Sequence, residues 1–140
     1  MLTTISKRFR WEMGHRLPNH PGLCRNIHGH SYAMEVRLAG IPNENGMVMD
    51  YFDLTELVRP LIEQLDHCFI INAADAELLM FLQHHGMKTV VVDFATTAEN
   101  LAEYALRFVV NALPQSHAIQ HVTVSIHETE KTSARVELQL

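Results

Sequence analysis

Residues 28–38 read HGHSYAMEVRL, and the parity of that run decides the fold. His28, His30, Tyr32, Met34, Val36 and Leu38 fall on alternate positions and are mostly apolar, with Ser31, Glu35 and Arg37 between them. A period of two with one apolar side is a half-buried strand. The same pattern precedes it. Phe9, Trp11, Met13 and His15 share one parity, while Arg8, Arg10 and Glu12 take the other. The segment 16–27 between the two runs carries Pro18, Pro21 and Gly22 and reads as a loop. The runs therefore pair as a hairpin. His15 ends the apolar side of the first strand, and His28 and His30 begin that of the second, so three imidazoles meet on one apolar patch.

Working outward, GIPNENG at 40–46 is a turn region. Asp53 with Glu56 forms a capping box, followed at helical spacing by Leu54, Leu57, Val58, Leu61, Ile62 and Leu65. Pro60 lies inside that helix, where proline costs about 3 kcal/mol, so a bend or a late start is expected. A second helix runs from about Asp75 to His85 and stops at Gly86, a suitable C′ residue. Thr89 to Phe94 is a short β-rich run. Thr96 with Glu99 makes another capping box, opening a longer helix through Leu101, Tyr104, Ala105, Phe108, Val109 and Ala112 that Pro114 ends. In the last two strands Val122, Val124, Ile126 and Glu128 share one side, and Ala134, Val136, Leu138 and Leu140 another. The order is ββααββ with a short extra strand. It predicts a single α+β domain over residues 1–140, an antiparallel β-sheet with helices on one face.

With 140 residues, 47% of them hydrophobic, the chain can bury a core without disulfides. Two cysteines make no disulfide framework, no apolar run is long enough for a membrane span, and no secretory leader is visible, which predicts a cytoplasmic protein. A net charge of −5 argues against a nucleic-acid surface. Lys7, Arg8, Arg10, Arg16 and Arg25 nevertheless cluster in the first 25 residues, either as a solvated face or as a local field for a small anion.

Three histidines on one patch match the catalytic zinc pattern of three protein ligands and an open position, although copper, iron and nickel also accept imidazole. The alternative is a group of satisfied core histidines. Cys24, four residues before His28, admits three roles: a fourth ligand closing a structural Cys-His₃ site, a base or nucleophile beside the metal, or an inert loop thiol. Asp66 and His67 stand just past a helix end. An aspartate that orients an imidazole sets up proton transfer, while a histidine facing the helix dipole would be structural. Cys68 reads as core. Glu128 falls on the apolar parity of its strand and needs a partner there, either a buried arginine or a ligand with adjacent N–H donors.

These motifs together resemble the 6-pyruvoyltetrahydropterin synthase / 6-carboxytetrahydropterin synthase family. The resemblance runs from about Phe9 to Glu128: Trp11 four residues before His15, Cys24-x₃-His28-Gly29-His30, Gly46 to Tyr51, Leu65 to Asn72, Thr96 to Asn100, and Glu128-Thr129. It implies the tunnelling fold, an antiparallel sheet with two helices on one side, assembled around a barrel as a homo-oligomer, commonly a hexamer, with sites between subunits. It implies one Zn²⁺ per subunit on His15, His28 and His30. Cys24 would transfer protons beside the metal, with Asp66 and His67 as a relay from a neighbouring subunit. Glu128 would grip the pterin edge, and Thr97 and Glu99 would line the pterin pocket. The implied substrate is 7,8-dihydroneopterin triphosphate, whose charge suits the basic N-terminal quarter. The C-x₃-HGH spacing resembles the bacterial carboxy-forming branch, a lyase that releases acetaldehyde and triphosphate and serves queuosine and other deazapurine pathways. C-x₅-HGH is similar to the pyruvoyl branch, which stops after triphosphate elimination. Residues 73–95 are longer than the family's usual link.

Two rivals come from other classes. Gly22-x₅-His28-x-His30-x₄-Glu35 matches the start of a cupin oxygenase motif, but Glu35 has the parity opposite to the histidines and no second motif follows. A zinc-stabilised, non-catalytic binding module would hold stoichiometric metal and turn over nothing.

Overall fold

The structure, a computed structural model, describes residues 1–140. Its six-stranded sheet has the order β4-β3-β1-β2-β5-β6. Strands β1 (Thr3–His15) and β2 (His28–Gly40) form the expected hairpin, antiparallel from Thr3 opposite Gly40 to His15 opposite His28. The strands β5 (Ile119–Thr129) and β6 (Thr132–Gln139) extend it, also antiparallel. On the other edge lie β3 (Cys68–Asn72) and β4 (Thr89–Val92).

That last pair departs from the sequence reading. That reading takes Cys68 as core and assigns no strand to 68–72, yet Phe69 to Asn72 pair with Thr89 to Val92 in parallel, and β3 joins β1 in parallel at Met13 and Gly14. Parallel neighbours need a crossover, and α2 (Ala76–His84) supplies it. The sheet is therefore mixed at this edge and antiparallel across its four long strands.

Two long helices, α1 (Tyr51–Leu65) and α3 (Ala98–Ala112), cover one face. Trp11, Met13, Tyr32, Met34, Val36, Leu38, Val122, Val124 and Ile126 from the strands meet Leu54, Val58, Leu61, Leu101, Ala105 and Val109 from the helices in one buried cluster. Each fully buried aliphatic side chain contributes about 1.5–3 kcal/mol, so strand parity fixes which face the helices take. Short α2 stands apart: its Leu78 and Leu82 pack on Ile71, whose neighbour Ile70 belongs to the main core.

Two helix starts differ from those expected. Asp50, not Asp53, caps α1, its carboxylate accepting from Phe52 N–H at 2.7 Å. Thr97, not Thr96, caps α3 by accepting from Asn100 N–H. Pro60 causes no late start. It is exposed, as is Glu56, whose carbonyl loses its helical partner, so water can take the free acceptor. Gly86 follows α2 with φ +64°, as a C′ glycine should.

Candidate metal centre and active site

The last rung of the β1–β2 ladder is His15 opposite His28, and His30 lies opposite Met13. All three side chains take the helix-covered side at its open end. Ring centroids are 4.6 Å apart for His15–His28, 5.2 Å for His15–His30 and 5.0 Å for His28–His30. One nitrogen from each ring lies within 4.8 Å of the others. Gly29 permits this spacing: a Cβ there would stand 3.0 Å from the Met13 carbonyl oxygen, so a larger residue would push the strands apart between two of the rings.

Backbone carbonyls orient the rings. His15 Nδ1 donates to the Thr96 carbonyl at 2.8 Å, and His28 Nδ1 to the Asn26 carbonyl at 2.7 Å. These bonds place the proton on Nδ1 and leave Nε2 with its lone pair. His15 Nε2 is buried and has no hydrogen-bond partner, an arrangement that costs free energy unless something accepts that lone pair. Burial drives the His15 pKa down to about 4, with His28 and His30 lowering it further by charge repulsion, and burial lowers that of His30 as well. Neutral, convergent imidazoles with an orphaned lone pair fit a divalent cation and do not fit satisfied core histidines.

Glu128 reaches the same patch from β5. Its carboxylate oxygens stand 3.9 Å from His15 Nε2 and 3.9 Å from His30 Nε2, too far for hydrogen bonds. It sits where the β5–β6 register shifts between Ile126 and Thr129, and such a bulge re-aims a side chain. No arginine pairs with it. A cavity of about 300 Å³ is lined by Glu128, Thr97 and Glu99 together with Leu17, Thr132 and Ser133. The chain belongs to the 6-pyruvoyl tetrahydropterin synthase family: the family's profile matches residues 4–139.

Similar proteins agree. A Haemophilus influenzae 6-carboxy-5,6,7,8-tetrahydropterin synthase is 35% identical over 133 residues, covering 89% of this chain and 92% of that one. An Aquifex aeolicus protein of the same name is 34% identical over 140 residues, covering 86% of each. The crystal structure of 6-pyruvoyl tetrahydropterin synthase from Plasmodium vivax superposes with a TM-score of 0.81 over 100% of this chain and 99% of that one, at 18% identity, a likeness of fold.

The other candidates for this family's chemistry fall in two places. Cys24 lies half-buried on a one-turn 3₁₀ helix, Leu23–Arg25, and its carbonyl closes the loop by accepting from Leu17 N–H at 2.8 Å. Its thiol is outside the three-histidine set, so the geometry gives a three-ligand site rather than a closed Cys-His₃ one. Asp66 and His67 make no hydrogen bond or ion pair with the triad of their own chain. Asp66 Oδ1 accepts from Glu12 N–H at 3.0 Å and pairs with His67 Nδ1 at 2.9 Å. The first contact, reinforced by His67, holds the Asp66 carboxyl below its ordinary range. His67 adopts φ +62° and lines an open cleft of about 390 Å³ with Glu12, Gly14, Gly29, Ser31 and one triad member, His30.

Several participants escaped the sequence reading. Thr96 is buried and supplies the His15 partner. Tyr32 lies edge-on to His15 and His30, fully buried, its hydroxyl unpartnered and its pKa raised by burial. Only its place in the HGH strand pointed to it. Glu35, the cupin candidate, pairs with Arg37 at 2.5 Å on the opposite parity. Cys68 is core, its thiol pushed up to about 11 by burial.

Proposed function

We propose that this chain is a zinc-dependent lyase that converts 7,8-dihydroneopterin triphosphate and one water to 6-carboxy-5,6,7,8-tetrahydropterin, acetaldehyde and triphosphate, in queuosine or related deazapurine synthesis. The observation that carries it is the neutral triad with its orphaned His15 Nε2 beside the Glu128 cavity. The C-x₃-HGH spacing and the 35% identity to the Haemophilus influenzae carboxy-forming synthase favour this product.

His15, His28 and His30 hold one zinc per subunit, which when bound supplies Lewis acidity toward the substrate's side-chain hydroxyls. Glu128 takes the pterin's 2-amino and N3 donors in its two oxygens, at about 1.5–3 kcal/mol for a charged hydrogen bond. Thr97 and Glu99 line the same cavity and position the ring. Cys24 moves a proton at the side-chain carbons from the loop that leads into His28. His67, oriented by Asp66, makes the opposite transfer. His67 makes no hydrogen bond or ion pair with the triad of its own chain, so in this reading a neighbouring copy supplies it, and the functional unit is a homo-oligomer, a hexamer, working in the cytoplasm.

The decisive experiment incubates the purified zinc form with dihydroneopterin triphosphate and assays acetaldehyde. Acetaldehyde with triphosphate is the expected result. Triphosphate alone would assign the pyruvoyl product instead, and no consumption would overturn the enzyme reading. Cys24→Ala is expected to keep stoichiometric zinc and lose most turnover. Loss of its zinc would make Cys24 a fourth ligand.

A further inference from the structure

The N-terminus of α2 breaks a local rule. Asp75 occupies the N-cap, where a carboxylate ordinarily accepts from the first free N–H groups of the helix, yet it makes no such bond. Arg16 takes both of its oxygens: Nε donates to Oδ2 at 2.6 Å and Nη2 to Oδ1 at 2.6 Å. The Asp75 side chain is only 7% exposed. Where a chain gives up a local preference, something else in the fold uses the group.

The other end of the contact shows what uses it. Arg16 directly follows His15. Its carbonyl accepts from the Thr96 hydroxyl at 3.3 Å, and the Thr96 carbonyl accepts from His15 Nδ1 at 2.8 Å. The β1–β2 ladder stops at His15 opposite His28, and the loop 16–27 begins at once. A strand end with no further rung frays unless it is tied, and the ligand sits on that end. A bidentate arginine–carboxylate pair fixes direction as well as distance.

We propose that Arg16 and Asp75 are positioning residues for the metal ligand His15: their pair clamps the end of β1, and with it the Thr96 contact that turns His15 Nε2 toward the ion. The long segment 73–95 thereby contributes to the metal centre through its first helix cap, without touching the metal. The inference rests on the zinc reading above.

Asp75→Asn keeps the shape and removes the charge, and Arg16→Lys keeps the charge and removes the fork. Zinc affinity is read by competition with a chromophoric chelator, and ligand geometry by the d–d absorption of the cobalt(II) form. The melting temperature of the metal-free protein is measured alongside. Each variant is expected to bind zinc about tenfold more weakly, the usual effect of losing a group that orients a ligand, with an altered cobalt spectrum. The double variant should be no weaker than the weaker single one, because the two residues act as one unit. A lower melting temperature with unchanged zinc affinity and cobalt spectrum would overturn the inference and leave the pair a staple for α2. If Asp75→Asn fails to fold, Arg16→Lys decides by the same measurements. A parent protein that binds no zinc would remove the site and the inference together, whereas a parent that binds zinc beside unchanged variants removes the inference alone.

Discussion

His15 ends β1, His67 stands in the turn leading into the neighbouring β3, and the two could hardly be treated more differently. His15 is 1% exposed, its Nδ1 bound to a backbone carbonyl and its Nε2 left without a partner. His67 has a side chain 76% exposed, stands on a left-handed residue, and has its Nδ1 on the Asp66 carboxylate. Burial keeps the His15 imidazole neutral, and the carbonyl partner fixes the tautomer and aims the lone pair, which is what a metal ligand needs. A carboxylate partner at the surface suits a group that takes up and gives back a proton. In the proposed mechanism the same side chain would be used once to hold charge and once to move it.

The largest effects should separate the two histidines. His15→Ala and His28→Ala are expected to lose zinc, by elemental analysis, and all turnover. His67→Ala should keep stoichiometric zinc and lose about 10²- to 10⁴-fold in turnover, the usual contribution of a general acid or base. Mixing matters more than either variant alone. If His67 serves a neighbour's triad, co-assembled Cys24→Ala and His67→Ala chains should regain activity that neither has by itself. Absence of any recovery, with mixed oligomers verified by mass, would put His67 outside the chemistry.

Acid should expose the buried member of the pair. The folded pKa of His15 lies near 4 against an unperturbed 6.5, so between those values the unfolded chain binds a proton that the metal-free fold does not. Stability should therefore be level above pH 6.5 and fall as pH drops toward 4, by up to about 3 kcal/mol. The lowered pKa of His30 acts in the same direction. Urea midpoints of the metal-free protein across this range test it. A profile as steep in His15→Gln as in the parent would assign the acid loss to other groups.

The hairpin and the triad were legible because both depend on period-two alternation, which the runs 9–15 and 28–38 mostly obey. The placement of His67 was not legible. It follows a helix end, where parity carries no information, and its φ of +62° appears in no composition rule. β3 was missed because CFIIN is a short apolar run directly after a helix, with no alternation to tell a buried strand from a buried helix segment. The α3 cap slipped by one residue for a tertiary reason: Thr96 and Thr97 are equal as sequence, but Thr96 is already spent on His15 and Arg16. The Arg16–Asp75 contact was invisible for the same reason, since nothing local marks two residues so far apart as partners.

A smaller effect probes the rung between the ligands. Gly29→Ala would place a methyl 3.0 Å from the Met13 carbonyl oxygen, a backbone atom that yields only if β1 and β2 separate by a few tenths of an ångström. Overpacking of this kind costs about 1–3 kcal/mol. Because the displaced backbone carries His28 and His30, zinc affinity should fall more than metal-free stability. Equal losses in both would mean that the glycine serves the hairpin and not the centre.

The smallest change should be the most telling about His67. A left-handed backbone is unfavourable by roughly 1–2 kcal/mol for an L-residue, and glycine adopts it freely. Asparagine tolerates it better than most side chains. If His67 were there to build the turn, replacing it would cost stability. If it is there for proton transfer, the turn carries a strained residue that the fold would be better without. His67→Gly should then hold the parent melting temperature or exceed it by an amount worth up to about 1 kcal/mol, while losing turnover as His67→Ala does. The main-chain bond from residue 67 to the Glu12 carbonyl, 2.6 Å in the parent, survives the change because it needs no side chain. A clear drop in melting temperature for His67→Gly would show that the imidazole's bond to Asp66 holds the α1–β3 turn together, and the division of labour between the two histidines would have to be redrawn.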